Sequence, residues 1–153
     1  MHTEEQFKWL REIHDVLADS RKNYDAIAQR VDDTQVKELL LRISSDRANM
    51  QNELAQDLVQ HDPHNKPGDG TVGGTIDRIM LTFRDILNNT NEVNVLVECQ
   101  RQDRELLGRY TEVLDSTDLN EASRATLARQ YSEVQQHLEQ VNRAREAMEA
   151  VEH

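Results

Sequence analysis

The sequence predicts an all-α fold, a bundle of four long helices forming a single domain over residues 1–153, and three observations carry that prediction. Helix breakers are nearly confined to one stretch, since both prolines, Pro63 and Pro67, and four of the five glycines, Gly68, Gly70, Gly73 and Gly74, fall between Asp62 and Thr75. Outside it, apolar residues recur at alternating three- and four-residue spacings, the period of one helix face. The composition, 31% charged and 37% hydrophobic in 153 residues, suits helices whose apolar side chains make a single stripe. A chain of this length builds one core and buries about 70% of the surface its unfolded form exposes.

The first helix is expected over residues 3–31. Thr3-Glu-Glu-Gln6 has the form of a capping box, and the stripe Leu10, Ile13, Leu17, Ser20, Tyr24, Ile27, Val31 holds the seam spacing over three heptads. The second is expected over 33–61. Asp32 and Asp33 suit the positive end of a helix dipole, and the stripe is Val36, Leu40, Ile43, Arg47, Met50, Leu54, Leu58. The break near residue 32 makes these two an antiparallel hairpin.

After the polar run Asn88-Asn89-Thr90-Asn91, a third helix is expected over 92–116, with Leu96, Cys99, Asp103, Leu106, Tyr110 and Val113 on its stripe. Asp118-x-x-Glu121 signals a fourth over 119–150, with Leu127, Tyr131, Val134, Leu138, Val141, Met148 and Val151. Between the hairpins, a loop and a short amphipathic helix near 75–88, carrying Ile76, Ile79, Met80, Phe83 and Leu87, are long enough to run the length of a bundle. Two hairpins joined by one long crossover make the ferritin-like four-helix bundle rather than the up-down-up-down one, with helices 2 and 3 parallel.

A formal net charge of -11, with no basic run, repels phosphate backbones and anionic lipid, so no nucleic acid and no membrane is expected as a partner. No stretch approaches ~18 consecutive apolar residues. The first ten residues lack the apolar core of a signal peptide, and the single cysteine, Cys99, suits a reducing compartment, so a cytoplasmic location is expected.

Three segments carry a resemblance: Tyr24 within Arg-Lys-Asn-Tyr-Asp, Val-Glu-Cys-Gln-Arg-Gln-Asp at 97–103, and Arg-Gln-Tyr-Ser-Glu-Val-Gln-Gln-His at 129–137. The chain resembles, over nearly its whole length, a family of small bacterial ferritin-like proteins of unknown function, distantly similar to the YciF-type stress-associated proteins. The resemblance implies the ferritin-like fold and a stress-related setting.

Ferritin-like di-iron centres take a Glu from each of two helices and a Glu-x-x-His from each of the others. Here the six histidines are His2, His14, His61, His64, His137 and His153, and none has Glu or Asp three residues before it. Glu133-x-x-x-His137 comes nearest, but the matching stretch of helix 2 is Asp46-x-x-Asn49. A ferroxidase centre, a cofactor and an enzymatic role are therefore not expected.

What stands at or beside core positions is a set of polar residues, Tyr24, Asp46, Arg47, Asp103, Gln130, Glu133 and His137, most of them near mid-helix. The bland reading is a satisfied polar layer that fixes helix register, with Arg47 against Asp103 and the tyrosines and His137 nearby. The functional reading is a metal-carboxylate site of iron or manganese with Asp46, Asp103, Glu133 and His137 as ligands. The first is preferred, and with it a structural or interaction role. His61-Asp-Pro-His64 with Asp69 reads as a solvated loop, Cys99 as a small core residue, and Gly70-Thr-Val-Gly-Gly74 as a connector lacking the Lys of a phosphate loop. Phe7 and Trp9 flank the first seam, so a homodimer burying them is expected.

Overall fold

In the computed structural model the described residues are 4–61, 91–116 and 119–152. They form four helices, α1 (Glu4–Ala28), α2 (Thr34–His61), α3 (Glu92–Asp115) and α4 (Glu121–Glu152), with no strand among them. The expected crossover, its helix near 75–88, the Thr3 cap and Asp118 lie outside the described residues.

Each interior helix start has a side-chain cap. Asp33 Oδ1 accepts from the Val36 N–H at 3.0 Å, and Asn91 Oδ1 accepts from the Val93 N–H at 2.9 Å. At α4 the capping oxygen belongs to Asn120, which accepts from the Ser123 N–H at 2.7 Å, so the helix starts at Glu121 rather than at residue 119. The α1–α2 turn is tied to α3 by Glu92, whose carboxylate accepts from the Asp32 and Asp33 amides at 2.6 and 3.2 Å.

Cross-helix contacts fix the directions. Along α1 and α3 they run Glu12 to Arg109, Tyr24 to Asp103 and Asp32 to Glu92, so these helices are antiparallel. Along α2 and α4 they run Asp57 to Ser123, Glu53 to Arg129 and Asp46 to His137, again antiparallel. Since α1 and α2 also oppose each other across a short turn, α2 and α3 run the same way. Around the bundle the order is α1, α2, α4, α3, which puts α2 and α3 on one diagonal and α1 and α4 on the other. The α1–α2 approach is close because small residues line it. Ala18 and Ser44 are buried there, and Ser44 Oγ lies 3.1 Å from the Arg21 carbonyl and 2.8 Å from Asp25 Oδ1.

The apolar core is divided into two clusters. One joins Leu10, Ile13 and Leu17 to Met50, Leu54, Leu58, Leu106, Tyr110, Leu127 and Val134. The other joins Tyr24, Ile27 and Val31 to Val36, Leu40, Ile43, Leu96, Cys99 and Val141. The seams of α1, α2 and α3 follow the expected stripes. That of α4 does so only at Leu127, Val134 and Val141. Its buried positions are Ser123, Leu127, Gln130, Val134, His137 and Val141, while Tyr131 and Leu138 are half-buried flanks, Met148 is half-buried against the second cluster, and Val151 is 85% exposed. Polar Gln130 and His137 take seam positions because partners on α2 and α3 receive them. Phe7 and Trp9 are half-buried and pack against the first cluster, so they offer less free surface than their seam-flanking positions suggest.

Candidate functional site

Between the two apolar clusters lies a polar layer to which all four helices contribute. Its centre is Arg47 on α2, 0% exposed, with its guanidinium directed to three neighbours. Nη1 donates to Ser20 Oγ on α1 at 2.6 Å and to Asp103 Oδ1 on α3 at 3.1 Å, along the bundle diagonal. Nε and Nη2 reach His137 Nδ1 on α4 at 3.4 and 3.2 Å. The Tyr24 ring lies under the guanidinium carbon, 5.2 Å from its centroid, and the Tyr24 hydroxyl donates to Asp103 Oδ2 at 2.8 Å. Both oxygens of Asp103, 1% exposed, are thereby filled.

The tautomer of His137 follows from its neighbours. Arg47 has donors only, so Nδ1 must accept, and the ring proton sits on Nε2, which donates to Asp46 Oδ2 at 2.9 Å. A second proton would set an Nδ1–H against the guanidinium. Burial and the Arg47 charge accordingly hold the imidazole below its ordinary range, against the pull of Asp46. Burial opposes the Arg47 charge too, but Asp103 and Tyr24 outweigh it and raise its value. Burial, reinforced by Asp103, raises the Tyr24 hydroxyl and the Cys99 thiol, so both stay protonated.

A second polar chain lies about two turns away. The Tyr110 hydroxyl donates to Gln130 Oε1 at 2.8 Å, and Gln130 Nε2 donates to Glu53 Oε1 at 2.8 Å. Glu53 also takes the Arg129 guanidinium. Asp46, Glu53, Arg129 and Glu133 line an open polar cleft between α2 and α4. Burial and the neighbouring Asp46 raise the Glu133 carboxyl above its usual range, with Arg129, 3.7 Å away, opposing.

The sequence-derived site residues thus separate. Tyr24, Arg47, Asp103 and His137 converge; Asp46 reaches them through His137; Gln130 joins Tyr110; Glu133 faces the cleft. Ser20, Glu53 and Tyr110 were not among the candidates. Ser20 and Tyr110 did lie on the α1 and α3 stripes, and a hydroxyl on a seam opposite an arginine was the available signal.

The donor set does not fit a carboxylate-bridged metal pair. Asp103 gives one oxygen to Arg47 and the other to Tyr24, His137 turns its lone pair toward a cation, and among the described residues no three His, Cys, Asp or Glu side chains are grouped to hold an ion. A divalent ion beside Asp103 would also meet the guanidinium, with repulsion on the order of several kcal/mol.

The geometry gives a pH dependence with a definite sign. The folded-state value of His137 lies below that of free imidazole, so the unfolded chain takes up the proton first. The stability from neutral His137 is therefore full above pH ~6.5 and is lost as the pH falls through its folded value. Thermal melts between pH 7.5 and 5 are expected to show Tm falling with pH, and a His137→Gln variant to show a flatter profile. Equal slopes would remove His137 from the account. The Glu133 contribution has the opposite sign, being present below its ordinary value and lost as the pH rises.

Residues 5–116 match the family described as a domain of unknown function (DUF2383), a span that includes Ser20, Tyr24, Arg47 and Asp103 but stops short of Gln130 and His137. No curated protein matches the chain.

Proposed function

We propose, from the premise that this chain belongs to the DUF2383 family of domains of unknown function, that it is a non-catalytic structural and interaction protein, a ferritin-like bundle acting as a homodimer. The observation that carries the reading is the Arg47 guanidinium at the centre of the bundle, bonded to Ser20, Asp103 and His137 on the other three helices. Such a layer sets helix register, because sliding one helix by a residue strands a buried charge. A catalytic centre needs a group left open to substrate, and here the ionisable groups of the layer are spent on one another. The helix directions, with α2 and α3 parallel on a diagonal, support the ferritin-like arrangement. The likeness to YciF-type proteins is the ground for a stress-related setting.

The alternative is a metal-carboxylate protein that uses Asp46 and Glu133 of the cleft together with His137, which is bonded to Asp46. Anaerobic loading of untagged protein with ferrous iron or manganese, followed by desalting, metal analysis and exposure to air, separates the two. No stoichiometric metal is expected, and no iron oxidation faster than the buffer blank. One or two retained equivalents, or a catalytic rate abolished by Glu133→Ala or His137→Ala, would install the alternative.

A further inference from the structure

On the α2–α4 side, at the end where α2 begins and α4 stops, a groove of about 560 Å³ lies open. Val36 and Leu39 form one wall and Ala144, Ala147, Met148 and Val151 the other. The α4 wall carries that helix's seam on past its last fully buried position. Beyond Val141, Ala144, Met148 and Val151 keep the seam's three-four spacing, Ala144 and Met148 half-buried against the second cluster, and with Gln140 and Ala147 they line the groove across from the first turns of α2. Ala147 is exposed and Val151 is 85% exposed, so the apolar face runs out into water over its last turn.

The rim narrows the choice of occupant. Asp33, Arg42 and Arg143 are the charged residues that line the groove; Arg143 pairs with Glu139 one turn before it, whereas Arg42 makes no ion pair among the described residues and is the cation left for an occupant. An occupant with an apolar stripe and acidic flanks is therefore favoured, and a strongly basic one is not. The same stretch of α4 has this character itself. Its stripe of Ala144, Ala147, Met148 and Val151 is flanked by the exposed carboxylate of Glu146 and by Glu139, which takes the Arg143 guanidinium. Ala144 and Ala147 present only methyl groups, which lets a second helix come near enough to bring Met148 and Val151 against Leu39.

We infer that the groove is the homodimer interface, in which the last turns of α4 from two copies pack antiparallel about a two-fold axis and each fills the other's groove. This rests on the self-association proposed above and names its surface. One patch supplies both groove and insert, which is the requirement for a closed two-fold contact. The Arg42 guanidinium then faces the acidic flank of the incoming helix. The arrangement leaves Phe7 and Trp9 outside the interface.

Light scattering coupled to size exclusion, with sedimentation equilibrium across a concentration series, tests it on the full chain. The unchanged protein is expected at the mass of two chains. Ala147→Glu and Val151→Glu, both at exposed positions of an intact helix, are expected to weaken association by about 100-fold or more while circular dichroism and Tm hold. Arg42→Glu is expected to weaken it as well. A dimer that all three variants leave intact would overturn this surface and leave self-association standing. A monomeric unchanged protein would overturn both. A monomer found by native mass spectrometry to carry an acyl-chain ligand lost in Ala147→Glu would assign the groove to that occupant instead.

Discussion

Asp103→Ala is expected to lower the stability of the bundle by about 3–5 kcal/mol, a fall in Tm on the order of 10 °C for a domain of this size. The cost arises from what remains. Arg47 is fully buried, and without Asp103 its charge keeps the Ser20 hydroxyl, the His137 lone pair and the Tyr24 ring but no counter-ion, while the Tyr24 hydroxyl loses its acceptor. Removing the partners together should hurt less. In the triple variant Tyr24→Phe, Arg47→Met, Asp103→Leu no charge is left unpaired, and most of the lost stability is expected to return, because apolar residues of similar volume replace buried ion pairs at little net cost. Urea denaturation of the two variants beside the parent protein checks this. A triple variant less stable than Asp103→Ala would mean that the layer contributes net stability rather than register.

Leu54→Ala and Leu40→Ala are each expected to cost about 2–5 kcal/mol, and the double variant the sum of the two. Both side chains are 0% exposed, but Leu54 belongs to the cluster with Leu10 and Leu127 and Leu40 to the cluster with Ile27 and Leu96. The Arg47 layer stands between them, so neither cavity has walls in common with the other. Denaturant midpoints for the two single variants and the double variant measure the coupling. A shortfall from additivity above about 1 kcal/mol would show that the clusters relax as one core.

The fold was legible where polarity and position agree. Leu10, Ile13, Leu17 on α1 and Leu40, Ile43, Met50, Leu54 on α2 are buried where the three-four spacing put them, and so is the unlikely pair Arg47 and Asp103. Those two could be found because each interrupts an apolar stripe, and an interruption on two stripes invites a partnership. On α4 the reading went astray for the complementary reason. Tyr131 and Leu138 are apolar beside the seam while Gln130 and His137 are polar within it, so a search for apolar spacing selects the flank. Only the identity of what lies opposite, Tyr110 and Glu53 for Gln130 and Arg47 for His137, reveals the true register. Glu133 could not be placed from spacing alone, since four residues from His137 is one face of a helix but does not say which neighbour that face meets. The Asn120 cap was similarly hidden, one of several polar residues in a short turn.

The alternation of helix directions has an electrostatic consequence. Every neighbouring pair in the ring α1, α2, α4, α3 is antiparallel, so each end of the bundle gathers two amino termini and two carboxyl termini. The peptide dipoles, which leave about half a positive charge at one end of a helix and half a negative charge at the other, oppose one another pairwise and leave neither end as a pole. Glu92 and Glu121 each sit in the first turn of a helix, at opposite ends of the molecule, and quench what local positive field remains. Around the described helices the field is then set chiefly by side chains, in a chain with 29 acidic against 18 basic. It draws cations toward the bundle as a whole and gives an approaching anion no axial point of entry.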